Sequence, residues 1–118
     1  MIINKGILSG MVRDVGFDMF PGIRDIYVQE SAETIERLKK SLDTGDYQTL
    51  ARDIHTQKSV LGTYGADDAL EQALRLDKKC KAKVPLTDFA EEVKSFIRIL
   101  SETRDAVNSL TAEDLQGF

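Results

Sequence analysis

Apolar residues along this chain recur three and four positions apart, the spacing that lines one face of an α-helix. No stretch shows the β-branched alternation of a strand. Four long segments of helical period lie between sparse breaks at Gly16, Pro21-Gly22, Gly45, Gly62, Gly65 and Pro85. The first runs from about Pro21 to Leu42, with Ile23, Ile26, Tyr27, Ile35, Leu38 and Leu42 on one broad face. Pro21 suits its first turn, where a missing N–H removes no helix hydrogen bond. The second starts near Asp46, a good N-cap, and closes at Gly65, which can take the left-handed position past a helix end. Its inward residues are Tyr47, Leu50, Ile54 and Leu61. The third spans about Asp67 to Ala82, with Ala69, Ala73, Leu76 and Cys80 inward and with Asp68 and Glu71 at the spacing of a capping box. The fourth starts at Pro85, or at a cap on Thr87, and reaches about Leu110. Its inward positions are Leu86, Phe89, Val93, Phe96, Leu100, Thr103, Val107 and Leu110. A shorter helix, about Ile7 to Val15, precedes them.

Connections of about three to six residues make sequential helices antiparallel. The expected architecture is all-α: an up-down antiparallel four-helix bundle with a short N-terminal helix, its last two helices packed as a long hairpin. Residues 1–118 read as a single domain, with no internal repeat, low-complexity tract or linker.

Composition narrows the function. The chain is 42% hydrophobic and 31% charged, as a soluble globular protein is. Its net charge of -4 supplies no basic excess to neutralise phosphates, which argues against a nucleic-acid partner. The one cysteine, Cys80, cannot form an internal disulfide, its inward position reads as core, and no metal-ligand spacing is present. The segment from Met1 to Val12 has only short apolar runs broken by Lys5, Gly6 and Gly10, unlike a signal peptide or a membrane span. A cytoplasmic protein without a membrane partner is expected.

The candidate chemistry centres on the only histidine, His55, in the second long helix. At 100° per residue it lies roughly 100° from the centre of the apolar stripe, beside the core and not in it. Ala51, Arg52, Lys58, Ser59 and Gly62 fall within about 60° of it. A neutral imidazole is a nucleophile through one ring nitrogen while the other keeps its proton. Lys58, three residues on, disfavours an added proton and can neutralise an incoming phosphoryl group. Gly62 costs about 1 kcal/mol against alanine inside a helix, which on this face implies close approach by a partner; alternatively it only frays the helix end. Lys78 and Lys79, with Lys81 and Lys83, form a basic patch that reads either as favourable charge at a helix C-terminus or as a docking surface for an acidic partner. Gly62 and Gly65 do not form a phosphate-binding loop, so no means of binding ATP is visible.

His55-Thr56-Gln57-Lys58-Ser59, followed by Gly62, Gly65 and Ala66, resembles the signature of histidine-containing phosphotransfer (HPt) domains. The likeness extends from Asp25-Ile26-Tyr27-Val28 to Arg104, with the helices in the same order. Ser59, where many members have glycine, together with Gly65-Ala66-Asp67, Leu76-Asp77-Lys78-Lys79-Cys80-Lys81-Ala82 and Thr103-Arg104-Asp105-Ala106, resembles the quorum-sensing branch of that family.

The resemblance implies that His55 carries a phosphoryl group between receiver-domain aspartates, with Lys58 as its electrostatic partner. It implies Asp77, on the third helix, as acceptor for the ring N–H. Arg52, Ser59, Gly62, Lys78 and Lys79 are the expected docking residues. The implied partners are receiver domains of a hybrid sensor kinase and of a response regulator, met by a monomer without autokinase activity. No cofactor or metal is expected in this chain; Mg²⁺ belongs to the receiver. Two other readings stay open: a non-catalytic helical module that only docks a signalling partner, and the phosphoacceptor hairpin of a sensor kinase. The starting methionine and the absence of kinase remnants favour a free-standing shuttle over the latter.

Overall fold

The computed structural model describes residues 1–118, which form six α-helices and no strand. The long amphipathic segments become α2 (Phe20–Thr44), α3 (Tyr47–Thr63), α4 (Asp67–Lys81) and α5 (Leu86–Asn108). The expected short helix before them is α1 (Lys5–Val15), capped by the Asn4 side chain, and a single 3₁₀ turn at Phe17–Met19 joins it to α2. A further turn of helix, α6 (Ala112–Leu115), follows the elements expected from the sequence; Thr111 and Asp114 form its capping box. No helix is long and apolar enough to cross a membrane.

The apolar faces of α2 to α5 meet in one core that includes Leu38, Leu50, Ile54, Leu61, Leu76, Phe89, Phe96 and Leu100. Packing differs from expectation in one respect. The most extensive helix pairs are α2 with α5 and α3 with α4, and the α4–α5 hairpin is a lesser contact. Ala69 and Ala73 are fully buried on the inner face of α4, and small residues there allow close approach of a facing helix. That approach positions the site.

Three details correct the sequence reading. Ile26 is 59% exposed; Tyr27, Ile35 and Leu38 are buried as expected, and Ser31, Thr34 and Ser41 complete the inward stripe of α2. Small polar side chains fit there because α2 faces a polar groove along α3 as well as the core. The Asp68–Glu71 capping box does not form: α4 is preceded by Ala66, and Asp68 binds the N-terminal ammonium at 2.6 Å. Thr87 caps nothing; α5 starts directly after Pro85 and kinks at Phe89.

A second, smaller core of Leu8, Val12, Phe20, Leu110 and Leu115 joins α1 and α6 to one end of the bundle. Gly65 is the hinge of this junction. It adopts φ +68°, and a Cβ there would lie 2.7 Å from the Asn4 carbonyl oxygen and 3.0 Å from Ile7 Cβ. Asn4 N–H donates to the Gly65 carbonyl at 2.7 Å. Glycine is required twice over, by conformation and by space.

Candidate phosphotransfer site

Leu50, Ile54 and Leu61 anchor α3 in the core, which leaves His55 on the outer flank with its side chain 61% exposed. Leu76 and Cys80 anchor α4 in the same way and turn Asp77 toward α3, where only 6% of its side chain is exposed. The two helices bring His55 Nδ1 to 3.2 Å from Asp77 Oδ1.

The other oxygen of Asp77 is held by two ammonium groups. Lys58 Nζ donates to Oδ2 at 2.7 Å, and Lys81 Nζ, one turn further along α4, lies 2.9 Å from it. Burial pushes the Asp77 carboxyl up. Hydrogen bonds from Lys58, Lys81 and His55 outweigh that effect and hold it down to about 2. Asp77 is therefore a carboxylate at neutral pH, able only to accept hydrogen bonds. Its contact with the imidazole is a hydrogen bond only if Nδ1 carries the proton, and that tautomer leaves a lone pair on Nε2. An imidazole oriented by a buried anion, with its second nitrogen free, is the arrangement a nitrogen nucleophile needs.

Lys58 is already partnered within the protein. Its side chain is only 23% exposed, and it bonds to the carboxylate that lies against the imidazole. Arg52 borders His55, and the two share a shallow recess of about 320 Å³ with Asp77, Cys80 and Lys81. Ser59 is exposed on the other flank, at the edge of the groove between α2 and α3. Gly62 is half-buried, and a Cβ there would meet only a Leu70 methyl at 3.9 Å, so the helix tolerates a side chain at this position.

The two lysines expected to dock a partner separate. Lys78 is exposed on the flank of α4 and makes no ion pair. Lys79 lies about 200° around the helix from Asp77 and pairs with Glu92 of α5, away from His55. Of that basic cluster the lysine at the site is Lys81, which the run of lysines contains but does not distinguish; its i, i+4 relation to Asp77 is the available signal. Cys80 packs in the core, where burial, aided by the Asp77 charge, pushes its thiol up and keeps it unreactive. A larger groove of about 490 Å³ between α2 and α3 holds an Arg37–Asp53 ion pair but not His55.

The class follows from this geometry and from comparison with known proteins. The family model for the Hpt domain matches residues 22–113, a span that contains His55, Lys58 and Asp77, and the chain belongs to that family. It is a histidine phosphocarrier of a phosphorelay, and its partners are receiver domains. Among individual proteins it is similar to the phosphorelay protein LuxU of Vibrio harveyi. The two are 29% identical over 110 residues, which cover 93% of this chain and 96% of LuxU. No solved structure gives a significant match.

Proposed function

We propose that His55 takes a phosphoryl group from the aspartyl phosphate of a hybrid sensor kinase's receiver domain and delivers it to the aspartate of a response regulator. The Nε2 lone pair forms the N–P bond as the aspartyl P–O bond breaks, and the electron pair of that bond stays on the leaving carboxylate. The imidazole keeps its Nδ1 proton throughout, and Asp77 stabilises the positive charge that the ring then carries. Lys58 holds Asp77 ionised and in place. In-line positioning and charge neutralisation are the main demands of such a transfer. The Mg²⁺ belongs to the receiver, and this chain works as a cytoplasmic monomer without a cofactor, autokinase activity, nucleic acid or membrane. Arg52, Ser59 and Gly62, which surround His55 on the outer face of α3, form the ground on which the receiver docks. The likeness to LuxU supports quorum sensing as the pathway.

The observation that carries the reading is the 3.2 Å contact between His55 Nδ1 and a buried, ionised Asp77. Incubation with a phosphorylated receiver domain tests it. Acid-labile, alkali-stable phosphate on His55 is the expected result, with no label from ATP alone. Receiver-derived label on any other residue would overturn the assignment.

A further inference from the structure

The two lysines that converge on Asp77 Oδ2 are not equivalent. The Lys58 side chain is 23% exposed and the Lys81 side chain 63% exposed. The recess beside the imidazole is walled by Arg52, His55, Asp77 and Lys81, whereas Lys58 does not line it. Lys81 is thus free to leave Oδ2, and the space next to His55 is within its reach.

Charge balance favours that movement. One carboxylate facing two ammonium groups leaves one positive charge over, and the two cations on a single oxygen repel each other. Arg52, in the same recess, makes no ion pair and adds to the excess. A phosphoryl group brings roughly -1.5 to -2 charges at neutral pH. The Lys81 end of its pair stands mostly in water, where an ammonium has other partners to exchange with, so Lys81 can change partners while Lys58 remains to satisfy Asp77.

We propose that Lys81 is the cation that binds the phosphoryl group on His55: its ammonium moves from Asp77 Oδ2 to the phosphoryl oxygens, while Lys58 stays on Asp77. This rests on the phosphocarrier reading and divides its electrostatics between two lysines. Lys58 positions the orienting carboxylate, and Lys81 meets the cargo.

Phosphoramidate, a small donor that needs no receiver, can charge His55 for the test. The second ionisation of the phosphohistidine is then followed by its ³¹P chemical shift against pH. In Lys81→Gln the midpoint should rise by about 0.5 pH unit, because a cation that favoured the dianion is gone. Lys81→Arg should restore it, and Lys58→Gln should move it less. A purely structural role for Lys81 would leave the midpoint in place. An unchanged midpoint in Lys81→Gln, or a larger rise in Lys58→Gln, would overturn the proposal, as would a resonance that survives His55→Ala. Because the donor is a small molecule, failure of the receiver assay would strike the phosphocarrier reading alone and leave this measurement interpretable.

Discussion

Two aspartates lie almost fully buried against α3, one on each flank, and their surroundings differ. Asp53, on α3 itself, faces α2 and meets a single cation: Arg37 Nε donates to its two oxygens at 3.2 and 3.4 Å, and the same guanidinium donates to Thr34. Asp77 faces α3 from α4 and meets Lys58, Lys81 and the imidazole. The first carboxylate is matched charge for charge. The second is oversupplied with positive charge and touches a nucleophile. Burial of a carboxylate therefore does not mark a functional site here. What marks it is an excess of cations around a carboxylate that orients an exposed reactive group. Asp53 ties α2 to α3, and Asp77, in the function proposed above, prepares His55.

The sharpest way to break this contrast is to remove the nucleophile. His55→Ala should fold normally, since the side chain is mostly exposed, and should accept no phosphate from a receiver. Undiminished labelling would end the comparison, because Asp77 would then orient nothing.

Exchanging each aspartate for its amide comes next. Asp77→Asn should slow transfer by about 10- to 100-fold, the scale on which losing the hydrogen-bond partner that orients a metal-bound imidazole acts. Asp53→Asn should leave transfer within about twofold of wild type and cost about 1–2 kcal/mol of stability, less than a fully buried pair because Arg37 is half exposed. Acid gives Asp77 a further signature. Asp77 sits at about 2 in the folded protein against 3.8 as its ordinary value. A depressed carboxyl contributes stability above its unfolded value, here about 2 kcal/mol, and loses it as pH falls toward the folded value. Denaturation curves should show that contribution intact at pH 6 and fading between about pH 4 and 2, with the fading absent in Asp77→Asn. Equal loss of transfer in both amide variants would erase the distinction between tie and site.

Lys58→Ala should have a smaller effect on both counts. Its half-buried bond to Asp77 makes a loss of about 1–2 kcal/mol the expectation, more than an exposed lysine would cost, with slower transfer and Lys81 still supporting the carboxylate. A thermal midpoint unchanged within a degree would show that the ion pair adds nothing to the fold.

Gly62→Gln should have the least effect on the molecule itself. A better helix former replaces glycine, and the added Cβ finds ordinary contact with Leu70. Stability should hold or rise, while receiver binding and transfer weaken because the new side chain stands on the face of His55. Phosphorylation at the wild-type rate would move the docking surface elsewhere and leave the contrast between the aspartates untouched.

Much of the fold was legible because helical period and helix punctuation are local properties. Leu50, Ile54 and Leu61 in α3, and Phe89, Val93, Phe96 and Leu100 in α5, are buried where their spacing put them. His55 is exposed beside the stripe, as its angular position required. The misreadings were of another kind. Ile26 is apolar at a plausible inward position, but the direction from which α3 approaches α2 buries Ser31 and Thr34 beside Tyr27 and leaves Ile26 outside. Asp68 had a partner at capping-box spacing, yet the chain terminus sixty-seven residues away claimed it. Lys79 and Lys81 differ by two positions in one basic run; one meets α5 and the other the site.

By itself the amino-acid sequence determined which faces are apolar, where helices start and stop, and that one nucleophile stands beside the core with a lysine a turn away. These follow from backbone geometry within a single helix, where 100° per residue leaves little freedom. The rotation of each helix about its own axis, and so the meeting of Asp77 with His55 and the convergence of Lys58 and Lys81 on one carboxylate oxygen, was decided only when α3 and α4 packed. That rotation is set by how buried side chains of both helices interlock, and no spacing along one strand of sequence contains it.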